Sequence, residues 1–106
     1  EMPDYDLDCY TNKRNKTNPE KARALLPEAL PMLESIEPWT PDAINAALDA
    51  FTEQRGEKKG AVMWPLRIAL SGQKVTPGGV TEILYLLGGE ESIKRLEKGL
   101  AKLKDL

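Results

Sequence analysis

Histidine is absent from this 106-residue chain. Its absence removes the commonest general base and the commonest metal ligand. No Ser-His-Asp or Cys-His arrangement can be assembled, so a free-standing helical enzyme is disfavoured. The single cysteine, Cys9, can form no internal disulfide and no thiolate metal cluster by itself, and it fits a reducing compartment. No apolar run approaches the roughly 18 residues that a membrane-spanning helix needs. No basic stretch followed by an apolar segment stands at the N-terminus as in a secretory signal. No glycine-rich phosphate loop follows a strand. Asp4, Asp6 and Asp8 alternate as in part of a calcium loop, but the glycine and distal Glu of that loop are missing, and no metal site is expected. The first residue is Glu1 rather than Met, and the chain is expected to be cut from something longer.

What is present suits one domain or a piece of one. A chain of this length can hide roughly two thirds of its unfolded surface, enough for a core without staples. Hydrophobic residues at 41% and charged residues at 30% exclude a disordered chain. There are 15 basic and 17 acidic side chains, net −2, which is not the balance of a general nucleic-acid coat. The charge is unevenly spread. Residues 1–56 hold 6 basic and 11 acidic side chains, and residues 57–106 hold 9 and 6, so a polyanion would meet the C-terminal half.

Apolar spacing reads as helices throughout. Asn18-Pro19-Glu20 supplies a cap, a first-turn proline and an acid at the positive helix end. Ala22, Leu25, Leu26, Ala29, Leu30, Leu33 and Ile36 then repeat at three and four, although Pro27 and Pro31 should bend or split this helix. Thr40-Pro41-Asp42 opens a second helix with Ile44, Ala47, Leu48 and Phe51 on its apolar face and Gly56 at its end. A third runs from about Lys58 to Ser71, with Val62, Leu66, Ala69 and Leu70 on one side, Pro65 inside and Gly72 beyond. Thr76-Pro77 repeats the cap-and-proline signal before a helix from about Gly79 to Leu87 that carries Ile83, Leu86 and Leu87. Gly88-Gly89 breaks it, and a last helix from Glu90 carries Ile93, Leu96, Leu100 and Leu103. Lys94, Lys98 and Lys102 recur on another face of it, most simply as a solvated surface. The predicted fold is all-α, a compact right-angled helical bundle over residues 18–106. Residues 1–17, acidic and then polar and basic, read as a linker or the edge of a preceding subdomain.

A nucleic-acid surface has support from several positions. Lys58 and Lys59 sit together at a predicted helix N-terminus, where free N–H groups favour a phosphate. Arg67 falls at the border of the third helix's apolar face, where a guanidinium can stack on a base or bridge phosphates; the plainer alternative is an Arg snorkelling over the core. Thr76-Pro77-Gly78-Gly79 is either a stiff turn with exposed N–H groups or an ordinary cap. Trp39 and Trp64 could stack on bases, but such residues are more often core or lip.

The run Lys59-Gly60-Ala61-Val62-Met63-Trp64-Pro65-Leu66-Arg67-Ile68-Ala69-Leu70-Ser71-Gly72 resembles the C-terminal region of bacterial glutamyl-tRNA synthetases. So do its continuation through Thr76-Pro77-Gly78-Gly79, Glu82-Ile83-Leu84, Leu86-Leu87-Gly88 and Ser92-Ile93-Lys94-Arg95-Leu96, and the upstream Asp6-Leu7-Asp8, Thr11-Asn12-Lys13 and Trp39-Thr40. The resemblance implies an all-helical anticodon-binding module, an α-helix cage. Its parent enzyme attaches glutamate to tRNA with ATP and magnesium, and the HIGH-like and KMSKS-like motifs of the catalytic domain do not occur here. The fragment would then hold no cofactor and be inactive alone. Its implied partners are the anticodon loop of glutamate tRNA and the N-terminal catalytic domain of the same chain; a cytoplasmic monomer with no membrane association is expected. The family's anticodon contacts fall here on Arg67, Thr76, Pro77 and Gly78. The role of a leucine that often follows the turn falls on Gly79 or Val80. Weak, salt-sensitive RNA binding is expected of the domain alone. The competing reading is a helical protein–protein interaction module with Trp64 or Met63 as an exposed anchor.

Overall fold

Asn18 and Thr40 begin the first two long helices in the same way. The Lys21 N–H donates to Asn18 Oδ1 at 2.9 Å, and the Ala43 N–H donates to Thr40 Oγ1 at 3.2 Å. In each case a proline follows at the first helical position, where its missing N–H costs nothing. The structure, a computed structural model, describes residues 5–76 and 78–104. Within them α1 runs Pro19–Glu34, α2 Pro41–Arg55, α3 Lys59–Ser71, α4 Val80–Leu87 and α5 Gly89–Leu103, preceded by a 3-10 turn at Leu7–Tyr10. No strand occurs among the described residues. Gly56 and Gly72 end α2 and α3 with φ of 66° and 69°, left-handed values that favour glycine.

Helix α1 stays continuous through Pro27 and Pro31, so of the two effects expected of them, a bend or a split, the split does not occur. Pro27 and Pro31 both lie on the solvent face, opposite buried Ala22, Leu26, Ala29 and Leu33. The carbonyls they leave without a helical donor, those of Arg23 and Pro27, belong to exposed residues, where water can take over. Pro65 is different: it is buried at the seventh position of α3, beyond the first turn.

The fold is all-α as read from the sequence. Helix α5 lies along α1, and α3 touches α1, α2, α4 and α5. The central position of α3 explains why its buried set, Val62, Pro65, Leu66, Ile68, Ala69 and Leu70, exceeds a single stripe. A radius of gyration of 12.4 Å matches the roughly 13 Å of a 100-residue domain, so these helices share one core. Arg95 clamps α5 to the C-terminal turn of α3, donating from Nη1 to the Leu70 carbonyl at 2.7 Å and from Nε to Glu91 at 2.8 Å.

Three readings of the C-terminal half are corrected. Thr76 does not cap α4. Gly79 occupies the N-cap without a side-chain hydrogen bond, and Thr76 Oγ1 instead donates to the Gly78 carbonyl. Leu86 is 81% exposed, and α4 turns Val80 and Leu84 inward instead. The fully inward line of α5 is Ser92, Leu96, Gly99 and Leu103, with Ile93 and Leu100 on its half-buried flanks.

Gly99 is inward because two tyrosines crowd it: a Cβ there would lie 3.1 Å from Tyr5 Oη and 3.2 Å from Tyr10 Oη. Tyr10 is fully buried, and the two hydroxyls are 2.7 Å apart. Burial, reinforced by that hydrogen bond, pushes the Tyr10 phenol well above the usual range. Lys102 lies 4.5 Å from the Tyr5 ring centroid and donates to the Tyr5 carbonyl. Residues 5–10 are thus joined to the same core, with α1, α3 and α5 as their contacts.

Candidate nucleic-acid interface

Helical periodicity sets Lys59, Met63 and Arg67 one above another on a single face of α3. That face looks onto the start of α4. Together Lys59, Met63, Arg67, Gly79, Val80, Thr81 and Glu82 line a groove of about 270 Å³, a little below the usual range for small-molecule sites. The first N–H groups of α4 have no helical acceptor and give this wall a positive end. Val80 is buried and anchors the helix start, and Thr81 Oγ1 donates to Asn45 Oδ1 at 3.2 Å, tying it to α2.

Arg67 is half-buried between fully buried Leu66 and Ile68. Its Nε is buried, and among the described residues it has no hydrogen-bond partner. An unsatisfied buried donor is costly, and a ligand that accepts from it recovers that cost. Lys59 stands at the other end of the groove, with Nζ 3.6 Å from Asp49 in an exposed pair. Such a pair is weak and can yield to a stronger anion.

The structure brings four of the expected site residues into this groove: Lys59, Arg67, Gly79 and Val80. Both candidates for the post-turn position line it. Thr76 and Gly78 shape the approach without lining it. A Cβ at Gly78 would meet the Glu82 carboxylate, so a small residue lets the turn close against α4. Pro77 lies outside the described residues. Lys58 faces a second cavity on the other side of the α3 N-terminus. Thr81 and Glu82 were not anticipated, and Met63 was named only as a protein-docking anchor. Met63 carried a signal, since it lies midway between Lys59 and Arg67 at helical spacing.

Neither tryptophan is offered to a base or to a partner. Trp39 Nε1 donates to the Leu84 carbonyl at 3.1 Å, and Trp64 Nε1 to the Cys9 carbonyl at 2.9 Å. Both rings pack against the core, so the reading of Trp64 as an exposed anchor is corrected.

A family model described as an anticodon binding domain matches residues 1–100, and the chain belongs to that family. It is 47% identical over 104 residues to the glutamate–tRNA ligase of Clostridium acetobutylicum, covering 98% of this chain and 21% of that protein. It is 44% identical over 105 residues to the glutamate–tRNA ligase of Clostridium novyi, covering 99% of this chain and 22% of that one. The chain therefore spans about a fifth of the length of the curated relatives it matches. Among solved structures, a glutamate tRNA ligase from Elizabethkingia meningosepticum in complex with its amino acid superposes with a TM-score of 0.80 at 27% identity, over 97% of this chain and 20% of that one.

Proposed function

We propose that this chain is the anticodon-reading domain of a glutamate–tRNA ligase, and that the α3–α4 groove receives bases of the anticodon loop. Single-stranded loop bases can be splayed out, and their edges and faces suit a planar guanidinium. The observation that carries the reading is Arg67: a half-buried arginine with an unpartnered Nε, facing a helix N-terminus across an open groove. Lys59 meets a neighbouring phosphate, Thr76, Pro77 and Gly78 hold the turn, and Gly79 and Val80 form the wall against which a base lies.

The parent ligase would join glutamate to tRNA using ATP and magnesium, both held by a catalytic domain of the same polypeptide and not by these residues. Residues 1–17 would lead in from the preceding subdomain to the anticodon domain of residues 18–106, with residues 5–10 packed onto its core. The parent would act as a cytoplasmic monomer. No helix among the described residues is long and apolar enough to cross a membrane.

Binding of a glutamate-tRNA anticodon stem-loop to the wild-type chain and to Arg67→Ala tests this. Arg67→Ala should weaken binding by about 1–3 kcal/mol and relax the preference for the cognate loop, with an unchanged melting temperature. Equal affinity of the two proteins for the cognate RNA would overturn it.

A further inference from the structure

A second basic feature lies outside the α3–α4 groove. A cavity of about 380 Å³ is lined by Arg14, Lys16, Lys21, Arg55 and Lys58, over a floor that includes Ala24, Leu25 and Ala61. These cations come from separate stretches of chain, gathered by specific geometry. Asn12 and Thr17 exchange backbone hydrogen bonds of 3.0 and 3.1 Å, and the Asn15 N–H donates to Asn12 Oδ1 at 3.0 Å. The tight turn between them projects Arg14 and Lys16. Lys16 adopts a left-handed φ of 54°, and Lys21 Nζ fixes it by donating to its carbonyl at 2.7 Å.

The only acid in the lining among the described residues, Glu57, is already engaged by Arg55 at 2.9 Å, and Arg55 is met again by Glu28 at 2.7 Å. Arg55 and its two carboxylates therefore form a self-contained wall. Arg14, Lys16, Lys21 and Lys58 have no carboxylate partner among the described residues. Lys58 is also the N-cap of α3, whose first turn contains no acid. Four cations without a carboxylate partner among the described residues surround one concavity, in a chain whose net charge is −2, and make a local site for an anion and not a diffuse basic surface.

Consecutive residues join this cavity to the groove. Lys58 lines one and Lys59 the other, and Lys58 stands about 13–14 Å along α3 from Arg67 at about 1.5 Å per residue. We infer that the Arg14–Lys16–Lys21–Lys58 cavity is a second RNA subsite, holding phosphodiester groups of the backbone that leaves the anticodon loop. The inference rests on the anticodon reading of the groove and adds to it a division of labour. The groove distinguishes bases, and the cavity supplies sequence-independent, salt-sensitive affinity.

The test is the salt dependence of binding of a glutamate-tRNA anticodon stem-loop to the 106-residue chain, using wild type, the double variant Arg14→Gln/Lys58→Gln, and Arg67→Ala. A second RNA carries the same stem with a scrambled loop. The double variant should lose about tenfold in affinity at low salt. Its slope of log K against log salt should fall by about 1–2, since each neutralised phosphate contributes roughly 0.7–0.9, and its preference for the cognate loop should persist. An unchanged slope in the double variant, with loop preference lost in Arg67→Ala, overturns the second subsite alone and leaves the cavity to a carboxylate-bearing protein segment. No RNA binding by wild type overturns the anticodon reading as well.

Discussion

Trp64 Nε1 donates a 2.9 Å hydrogen bond to the carbonyl oxygen of Cys9, 55 residues earlier in the chain. The bond ties α3, the helix that carries Arg67, to the segment that leads into the domain. A tryptophan fixed in this way is a structural joint and not a docking anchor. Trp64→Phe should keep the ring's packing but leave the Cys9 carbonyl without this donor. A stability loss of about 1 kcal/mol is expected from chemical denaturation, with RNA affinity unchanged. A larger loss of RNA affinity than of stability would show the indole to be a ligand contact.

Leu96 and Leu86 make a matched pair. Leu96 is fully buried on α5, and Leu86 is 81% exposed on α4. Leu96→Ala should cost roughly 2–5 kcal/mol through lost transfer energy and a cavity, whereas Leu86→Ala should stay within about 0.5 kcal/mol. Denaturant midpoints at equal m-value check both, and equal costs would mean that one of the helices is wrongly rotated.

At Gly56 the demand on the residue is purely one of backbone. Its φ is 66°, and an added Cβ would meet nothing within 4 Å. Gly56→Ala should destabilise by about 1–2 kcal/mol and Gly56→Asn by less, because Asn tolerates the left-handed region better. A neutral alanine variant in thermal melts would contradict the left-handed cap.

Tyr10 should make stability depend on alkaline pH. Its folded pKa is raised above the ordinary value of 10.0. The folded protein therefore keeps a proton that the unfolded chain releases. The associated stability is fully present below pH ~10 and falls by about 1.4 kcal/mol per pH unit as pH rises further. Lysines titrate nearby, so the informative quantity is the difference between wild type and Tyr10→Phe. Urea unfolding from pH 8 to 11 should show the wild type losing stability faster. Parallel curves would place the Tyr10 hydroxyl in water.

Helix starts were legible where local chemistry decides them. Asn18-Pro19 and Thr40-Pro41 carry the cap and the proline in adjacent positions, and Gly56 and Gly72 mark ends that need a left-handed residue. Thr76-Pro77 looked the same and was not, because α4 begins only at Val80, too far on for Thr76 to reach its first N–H groups. Pro27 and Pro31 left the continuity of α1 open because a proline's effect depends on which face it occupies, and the apolar repeat alone does not say that exposed carbonyls can be rehydrated. Tyr10 and Gly99 were not legible as partners. Their contact is set by tertiary packing between residues 89 positions apart. The lining of the candidate groove was legible as residue types, through Arg67, Lys59 and the Gly79-Val80 step. That Lys58 and Lys59 part into two cavities depends on the turn at residues 12–17, whose position against α3 no local pattern encodes.

The most direct test of the anticodon reading is a backbone-amide NMR titration of the chain with a glutamate-tRNA anticodon stem-loop at low salt. Shifts are expected at Lys59, Met63, Arg67 and residues 78–82, fading as salt is raised. Shifts confined to other faces, or unchanged spectra at millimolar RNA, would contradict it.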